Sequence, residues 1–376
     1  MSTEQIKPKA SILATGLALF SMFFGAGNIV FPLIIGRSAG SEALSAIGGL
    51  GLSAVLFPFL GLIAMMLYQG NLKDFLARLG KWPAFALMFV LYMSQGPVGS
   101  MPRLITLMYA SVQPYFPSLP LSLFSLIICA AVLAMTFRPR RIIRLLGVVL
   151  TPILLLALGV LVSFGIENAP QPLTSAHSSG YQFLQGLKGG YQTLDLTAAL
   201  LFATMIMPHL SRGIDPVNNQ GELRRRMTYA SIIAASLLMA SYIGLCYLSA
   251  HHSAQIGAEV APVDLLHAIS IKILGPVGGL VAALAVFMAC LTTAISLAAV
   301  FSDYLHTEFF QQKVSRNQSL LITLGITAAM ANLGFTAIAN ILGPILEILY
   351  PGLILLCLYN IAHWLYRSKL AKAAVN

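Results

Sequence analysis

Apolar runs of about 20 residues recur from Ser11 to Ala362, and each is long enough to carry an α-helix across a bilayer's hydrocarbon at about 1.5 Å rise per residue. A soluble core has no use for that much apolar length. Charge is correspondingly scarce, at 9% of 376 residues against 58% hydrophobic, where a soluble domain carries roughly 25% charged residues. The chain reads as an all-α polytopic membrane protein. Apolar length predicts ten spans: Ser11 to Ile35, Ala46 to Tyr68, Pro83 to Tyr109, Leu121 to Phe137, Leu145 to Ile166, Tyr191 to His209, Tyr229 to Ser249, Leu274 to Phe301, Ser319 to Leu333 and Ala337 to Ala362. The ninth is the shortest, and only Asn332-Leu-Gly334 separates it from the tenth.

Lys and Arg collect in short cytoplasmic loops, so their placement tests the count. With the N-terminus inside, only Arg37, Arg103, Lys188 and Lys272 of the 22 basic residues fall outside the inward segments. An even number of spans with both termini cytoplasmic follows. The net charge of +10 is spread over separate loops, whereas a nucleic-acid footprint gathers its basic residues on one face. No nucleic-acid partner is expected. The first run, after Lys7 and Lys9, exceeds the roughly 7 to 15 apolar residues of a signal peptide and reads as a retained helix.

Cys129, Cys246, Cys290 and Cys357 lie within predicted spans without paired metal spacing, which fits buried free thiols. His251 and His252 adjoin in a predicted external loop. A solvated loop is preferred there over a metal site.

Other residues interrupt the apolar pattern. Gly25-Ala-Gly27-Asn28 falls near the middle of the first span. It is either an unwound segment exposing backbone groups to a ligand, or a close helix contact through small residues. In the eighth span Ala289, Thr292, Thr293 and Ser296 share one helical face. Those hydroxyls either bond back to their own helix or supply hard oxygen ligands to a small cation. Arg103 and Asp195 come out in the external halves of the third and sixth spans, where they either pair as a gate or reach interfacial water. Glu347 is intramembrane by position.

Five stretches together carry a resemblance: FFGAGNIVFP (Phe23 to Pro32), GPVGSMPR (Gly96 to Arg103), GGYQTLDLTAALLF (Gly189 to Phe202), ACLTTAISL (Ala289 to Leu297) and ANLGFTAIANILGPILEILYPG (Ala331 to Gly352). They resemble the bacterial branched-chain amino acid:cation symporters of the BrnQ type, within the amino acid/polyamine/cation superfamily. Such carriers often continue through further helices beyond the tenth span, which the resemblance implies are dispensable for transport. It also implies one transmembrane domain over 1–376 with a LeuT-like fold of five-plus-five inverted repeats, about 11–166 and 191–362. Spans one and six would be broken at the substrate site.

Under that resemblance the helix restarting near Asn28 presents N–H groups to a substrate carboxylate. The carbonyls of Ser21 to Phe24 would suit its ammonium group or a Na+ ion. Substrate-binding residues would be Phe24, Gly25, Ala26, Gly27, Asn28, Asp195, Leu196 and Leu200, with Phe23 also in the side-chain pocket. Gly25 and Gly27 would let the ligand approach, for lack of a Cβ. Na+ would sit between the Ser21 and Phe24 carbonyls and Ala289, Thr292 and Thr293. The implied activity is import of leucine, isoleucine, valine or a similar neutral amino acid by Na+ symport in a bacterial inner membrane. No enzyme activity and no cofactor beyond the coupling ion are expected, and no protein partner is assigned. Proton coupling through Asp195 or Glu347 is the alternative, and a channel or membrane sensor a further one.

Overall fold

A computed structural model of the chain describes residues 11–137, 139–211, 219–257 and 259–373. Lys7, Lys9, Arg138 and Arg212, four of the basic residues assigned to inward segments, lie outside the described residues. Every regular element among the described residues is helical. The first apolar run forms two helices, α1 (Ile12–Phe23) and α2 (Ala26–Ala39), and the second forms α3 (Ala43–Gly51) and α4 (Phe57–Leu67), joined by a π turn at Leu52–Leu56. A short α5 (Leu72–Leu76) precedes α6 (Lys81–Gln95) and α7 (Ser100–Val112), which divide the third run between them. Next come α8 (Leu121–Thr136), then α9 (Pro139–Arg144), which passes through a π segment at Leu145–Leu150 into α10 (Thr151–Glu167). The second half holds α11 (Ser179–Tyr191), α12 (Asp195–Leu210), α13 (Gln220–His252), α14 (Leu265–Tyr304), α15 (Arg316–Ala331) and α16 (Phe335–Ala373). Seven helical stretches among the described residues are long and apolar enough to cross a membrane, and α1 and α8 are shorter apolar helices.

The differences from the expected spans have local causes. The sixth expected span begins at Tyr191, but the structure adds a whole helix before it, because α11 carries Gln182, Gln185 and Lys188 and is invisible to a search by apolar length. Its hold on α3 is steric. A Cβ on Gly186 would lie 2.0 Å from the Ala46 carbonyl oxygen, and one on Gly49 would lie 2.0 Å from that of Phe183, so the backbones meet through small residues as membrane helices do. The third span breaks at Gly96–Gly99, where Pro97 supplies no N–H and the ladder restarts at Ser100. The eighth begins earlier than Leu274 and bends at Gly275, whose φ of 64° opens a kink ahead of Pro276. The separation before the tenth span does hold: Gly334, at φ 83°, turns the chain between α15 and α16.

Two helix sets position the site. In one, α13 packs on α1 and α2, α11 on α3, and α12 on α4; in the other, α7 packs on α14 and α8 on α15, with α14 also against α15 and α10. His251 and His252 are not in a loop. They occupy the last turn of α13 and bond the Pro170 and Gly165 carbonyls at 2.7 and 2.9 Å, fastening α13 to the end of α10. All four cysteines are buried and unpaired.

Candidate functional site

The interruptions in the first and sixth runs face each other. Phe24 (φ −73°, ψ 84°) and Gly25 (φ −116°, ψ −154°) leave the helix, and α2 restarts at Ala26. The break is therefore two residues long, shorter than the unwound Gly25–Asn28 expected from sequence: Ala26, Gly27 and Asn28 form the first turn of α2, where N–H groups have no intrahelical acceptor. Gly25 N–H, which would have bonded the Ser21 carbonyl in a continuous helix, instead donates to Asn28 Oδ1 at 3.1 Å. One side chain thus caps the second helix and frees a carbonyl of the first.

That carbonyl is used at once. Thr292 and Thr293 Oγ1 donate to Ser21 O at 2.9 and 3.1 Å, and Thr292 Oγ1 also lies 2.9 Å from Ala289 O. The Ser21 hydroxyl is turned away to Ala18 O, so the backbone alone is presented. Ser296 and Thr292 bond back to their own helix, at Thr292 O and Ala289 O, while Thr292 and Thr293 also reach across to α1. The convergent donors are neutral carbonyl and hydroxyl oxygens, a set that suits a hard monovalent cation whose charge is not already cancelled. Among the described residues no cluster of His, Cys, Asp or Glu forms a metal site.

The second break covers Gln192 to Leu194. Leu194 sits in the left-handed region (φ 68°, ψ 13°), a conformation costing about 1 kcal/mol or more for a side-chain-bearing residue. Gln95, at the end of α6, holds it there by donating from Nε2 to Leu194 O at 2.6 Å and to Thr197 Oγ1 at 2.5 Å. Asp195 is then the first residue of α12. Its carboxylate accepts from Asn28 Nδ2 at 2.8 Å on both oxygens and from Tyr242 Oη, on α13, at 2.7 Å. Gly27 sets the approach of the breaks, because a Cβ there would lie 2.9 Å from Thr193 Cα and 3.1 Å from Gln192 O. The glycine thus serves the contact between two chain segments.

A narrow cavity lies between the breaks. Its polar wall is Asn28, Gln95, Ser100, Arg103, Thr193, Asp195 and Thr293, and its apolar wall includes Met22, Phe23 and Ala198. Gly25, Ala26 and Gly27 line it through the start of α2. Phe24, Leu196 and Leu200 are not on that wall. Phe24 stacks on Phe20 with centroids 5.1 Å apart, and Leu196 and Leu200 face α4 at Gly61, so the apolar part of this cavity's wall includes Met22, Phe23 and Ala198 but not the two leucines.

Of the two alternatives for Arg103 and Asp195, pairing is not seen: neither appears in an ion pair within 4.0 Å among the described residues. Arg103 instead donates from Nη2 to Gln192 O at 3.1 Å, with its guanidinium 5.3 Å from the Phe31 ring and 4.9 Å from the Phe335 ring. Glu347 is exposed on α16 and does not line the cavity. Sequence reasoning missed Gln95, Tyr242 and Thr193, whose one signal was a polar side chain inside or beside an apolar run.

These features define a class: multi-pass membrane proteins in which two interrupted helices meet around a polar cavity, the architecture of transporters. The fold matches that of Mhp1, a nucleobase-cation-symport-1 family transporter in a closed conformation with bromovinylhydantoin bound (TM-score 0.64, 12% identity, covering 91% of this chain and 76% of that one). It also matches MhsT in complex with L-phenylalanine (TM-score 0.63, 16% identity, 93% and 89%). The family model described as branched-chain amino acid transport protein matches residues 8–375, and the chain belongs to that family. Among its relatives are the branched-chain amino acid permease BrnQ of Bacillus subtilis strain 168, 29% identical over 95% of this chain and 82% of the relative, and that of Escherichia coli K12, 28% identical over 97% and 83%. The branched-chain amino acid transport system 2 carrier protein of Pseudomonas aeruginosa PAO1 is 31% identical over 92% and 79%.

Proposed function

We propose that the protein imports leucine, isoleucine, valine or a similar neutral aliphatic amino acid by Na+ symport, with alternating access around the two breaks. The observation that carries the reading is the Ser21 carbonyl: released by the break in α1–α2, it meets the hydroxyls of Thr292 and Thr293 from α14. A cation between these oxygens would add a tie between the two helix sets, which is how ion binding can bias one conformation. The site would comprise Ser21, Phe24, Ala289, Thr292 and Thr293 for Na+. The start of α2 and Asp195 would hold the polar part of the substrate. In this reading the helices form ten spans as two five-helix repeats, in a bacterial inner membrane with both termini cytoplasmic.

Counterflow tests the carrier reading. Proteoliposomes loaded with unlabelled leucine and diluted into a trace of labelled leucine should transiently concentrate the label, because a carrier exchanges one molecule for another. Simple equilibration without overshoot would contradict a carrier and favour a channel.

A further inference from the structure

Arg103 and Asp195 are the two ionisable side chains on the cavity wall, and each is 1% exposed. Neither has an ionic partner within 4.0 Å among the described residues. Arg103 has one hydrogen bond, to the neutral Gln192 carbonyl, and its Nε and Nη1 are buried without an acceptor. The Phe31 and Phe335 rings offer only their faces. Asp195 receives the amide of Asn28 and the hydroxyl of Tyr242, both neutral.

One cavity therefore holds a guanidinium and a carboxyl group, each buried and neither paired with the other. Burial without a counter-charge is costly for both. A ligand that completes both must carry a carboxylate and an ammonium group on a small frame, as an α-amino acid zwitterion does. We propose that Arg103 receives the substrate's α-carboxylate, beside the N–H groups at the start of α2, and that Asp195 receives its α-ammonium group. The inference rests on the amino acid reading above and deepens it: selection for the zwitterion resides in two side chains on α7 and α12, in addition to backbone groups. Asn28 and Tyr242 are positioning residues that hold the Asp195 carboxylate toward the cavity.

The test uses the full chain in nanodiscs with saturating Na+, and compares leucine with leucinamide, which lacks the carboxylate, and 4-methylpentanoate, which lacks the ammonium group. Affinities are measured directly by calorimetry. Wild type should prefer leucine to either analogue by about tenfold or more, the scale of a charge-assisted hydrogen bond. Arg103→Gln should weaken leucine by a similar factor while leaving leucinamide unchanged, so that the preference between them collapses. Asp195→Asn should abolish the preference over 4-methylpentanoate in the same way. Arg103→Lys keeps the charge and should keep most of the preference over leucinamide, which separates recognition from a folding defect. A leucine-to-leucinamide ratio equal in wild type and Arg103→Gln, or an Asp195→Asn variant that still rejects 4-methylpentanoate, overturns the proposal while the transport reading stands. Wild type that binds no neutral amino acid removes both.

Discussion

Asn28 and Asp195, 167 residues apart, are joined by hydrogen bonds of 2.8 Å between the amide nitrogen of one and both carboxylate oxygens of the other. Each sits in the first turn of a helix that restarts after an interruption. The contact ties the two breaks together, and the Asn28 amide oxygen accepts from Gly25 N–H, which leaves Ser21 O to the threonines, so a single side chain links the cavity to the oxygens proposed to hold Na+.

Asn28→Ala should therefore lose more than Tyr242→Phe. The first leaves Gly25 N–H unpaired and withdraws the amide from Asp195, a loss of about 1.5–3 kcal/mol for hydrogen bonds to a charged group. The second removes one hydroxyl and leaves Asp195 its amide donor. Thermal unfolding in detergent should show a lower midpoint for Asn28→Ala than for Tyr242→Phe, and equal midpoints would contradict the arrangement.

Gly27→Ala should abolish leucine uptake without preventing membrane insertion, because the added Cβ meets the Thr193 backbone at 2.9 Å, an atom that no rotamer change can move. Gly325→Ala is the comparison. On α15 its Cβ would have nothing within 4 Å, and the helix should gain up to about 1 kcal/mol. Uptake normalised to the amount of protein in the membrane measures both.

Thr293→Ala should raise the Na+ concentration giving half-maximal uptake by roughly tenfold, equivalent to about 1.4 kcal/mol of lost ion binding, with maximal uptake restored at high Na+. Thr293→Ser retains the hydroxyl and should restore the wild-type Na+ requirement. An unchanged requirement in Thr293→Ala would remove the residue from the ion site.

Gln95→Leu should destabilise the sixth-run break. It removes one of three donors to the Leu194 carbonyl, leaving Ala198 N–H and Thr197 Oγ1, at a residue already in the left-handed region, and a lost hydrogen bond of this kind costs about 0.5–1.5 kcal/mol. Faster proteolysis after residue 191 in the variant than in wild type is the expected readout.

The membrane class and most helices were legible from apolar length alone, because a bilayer demands that length whatever the fold. Paired glycines beside Asn28 marked the first break, and the spacing of Thr292 and Thr293 marked the stripe facing it. The second break was not legible in this way. Its first half, α11, is held by glycine contacts with α3 rather than by greasy length, and only the family resemblance required an interruption there. Charge and depth left Arg103 and Asp195 either paired or at interfacial water, and sequence cannot tell that Arg103 turns instead to the Gln192 carbonyl while Asn28 and Tyr242 hold the carboxylate. Leu196 and Leu200 follow Asp195 closely, yet helical rotation carries them round to α4, which a linear motif does not reveal.

Na+ coupling at the interrupted helices is tested most directly by the steady-state leucine concentration inside proteoliposomes under an inward Na+ gradient, with pH held equal on both sides. The account predicts accumulation above the external concentration that collapses when a Na+ ionophore dissipates the gradient. Accumulation of the same size in Na+-free buffer would contradict it.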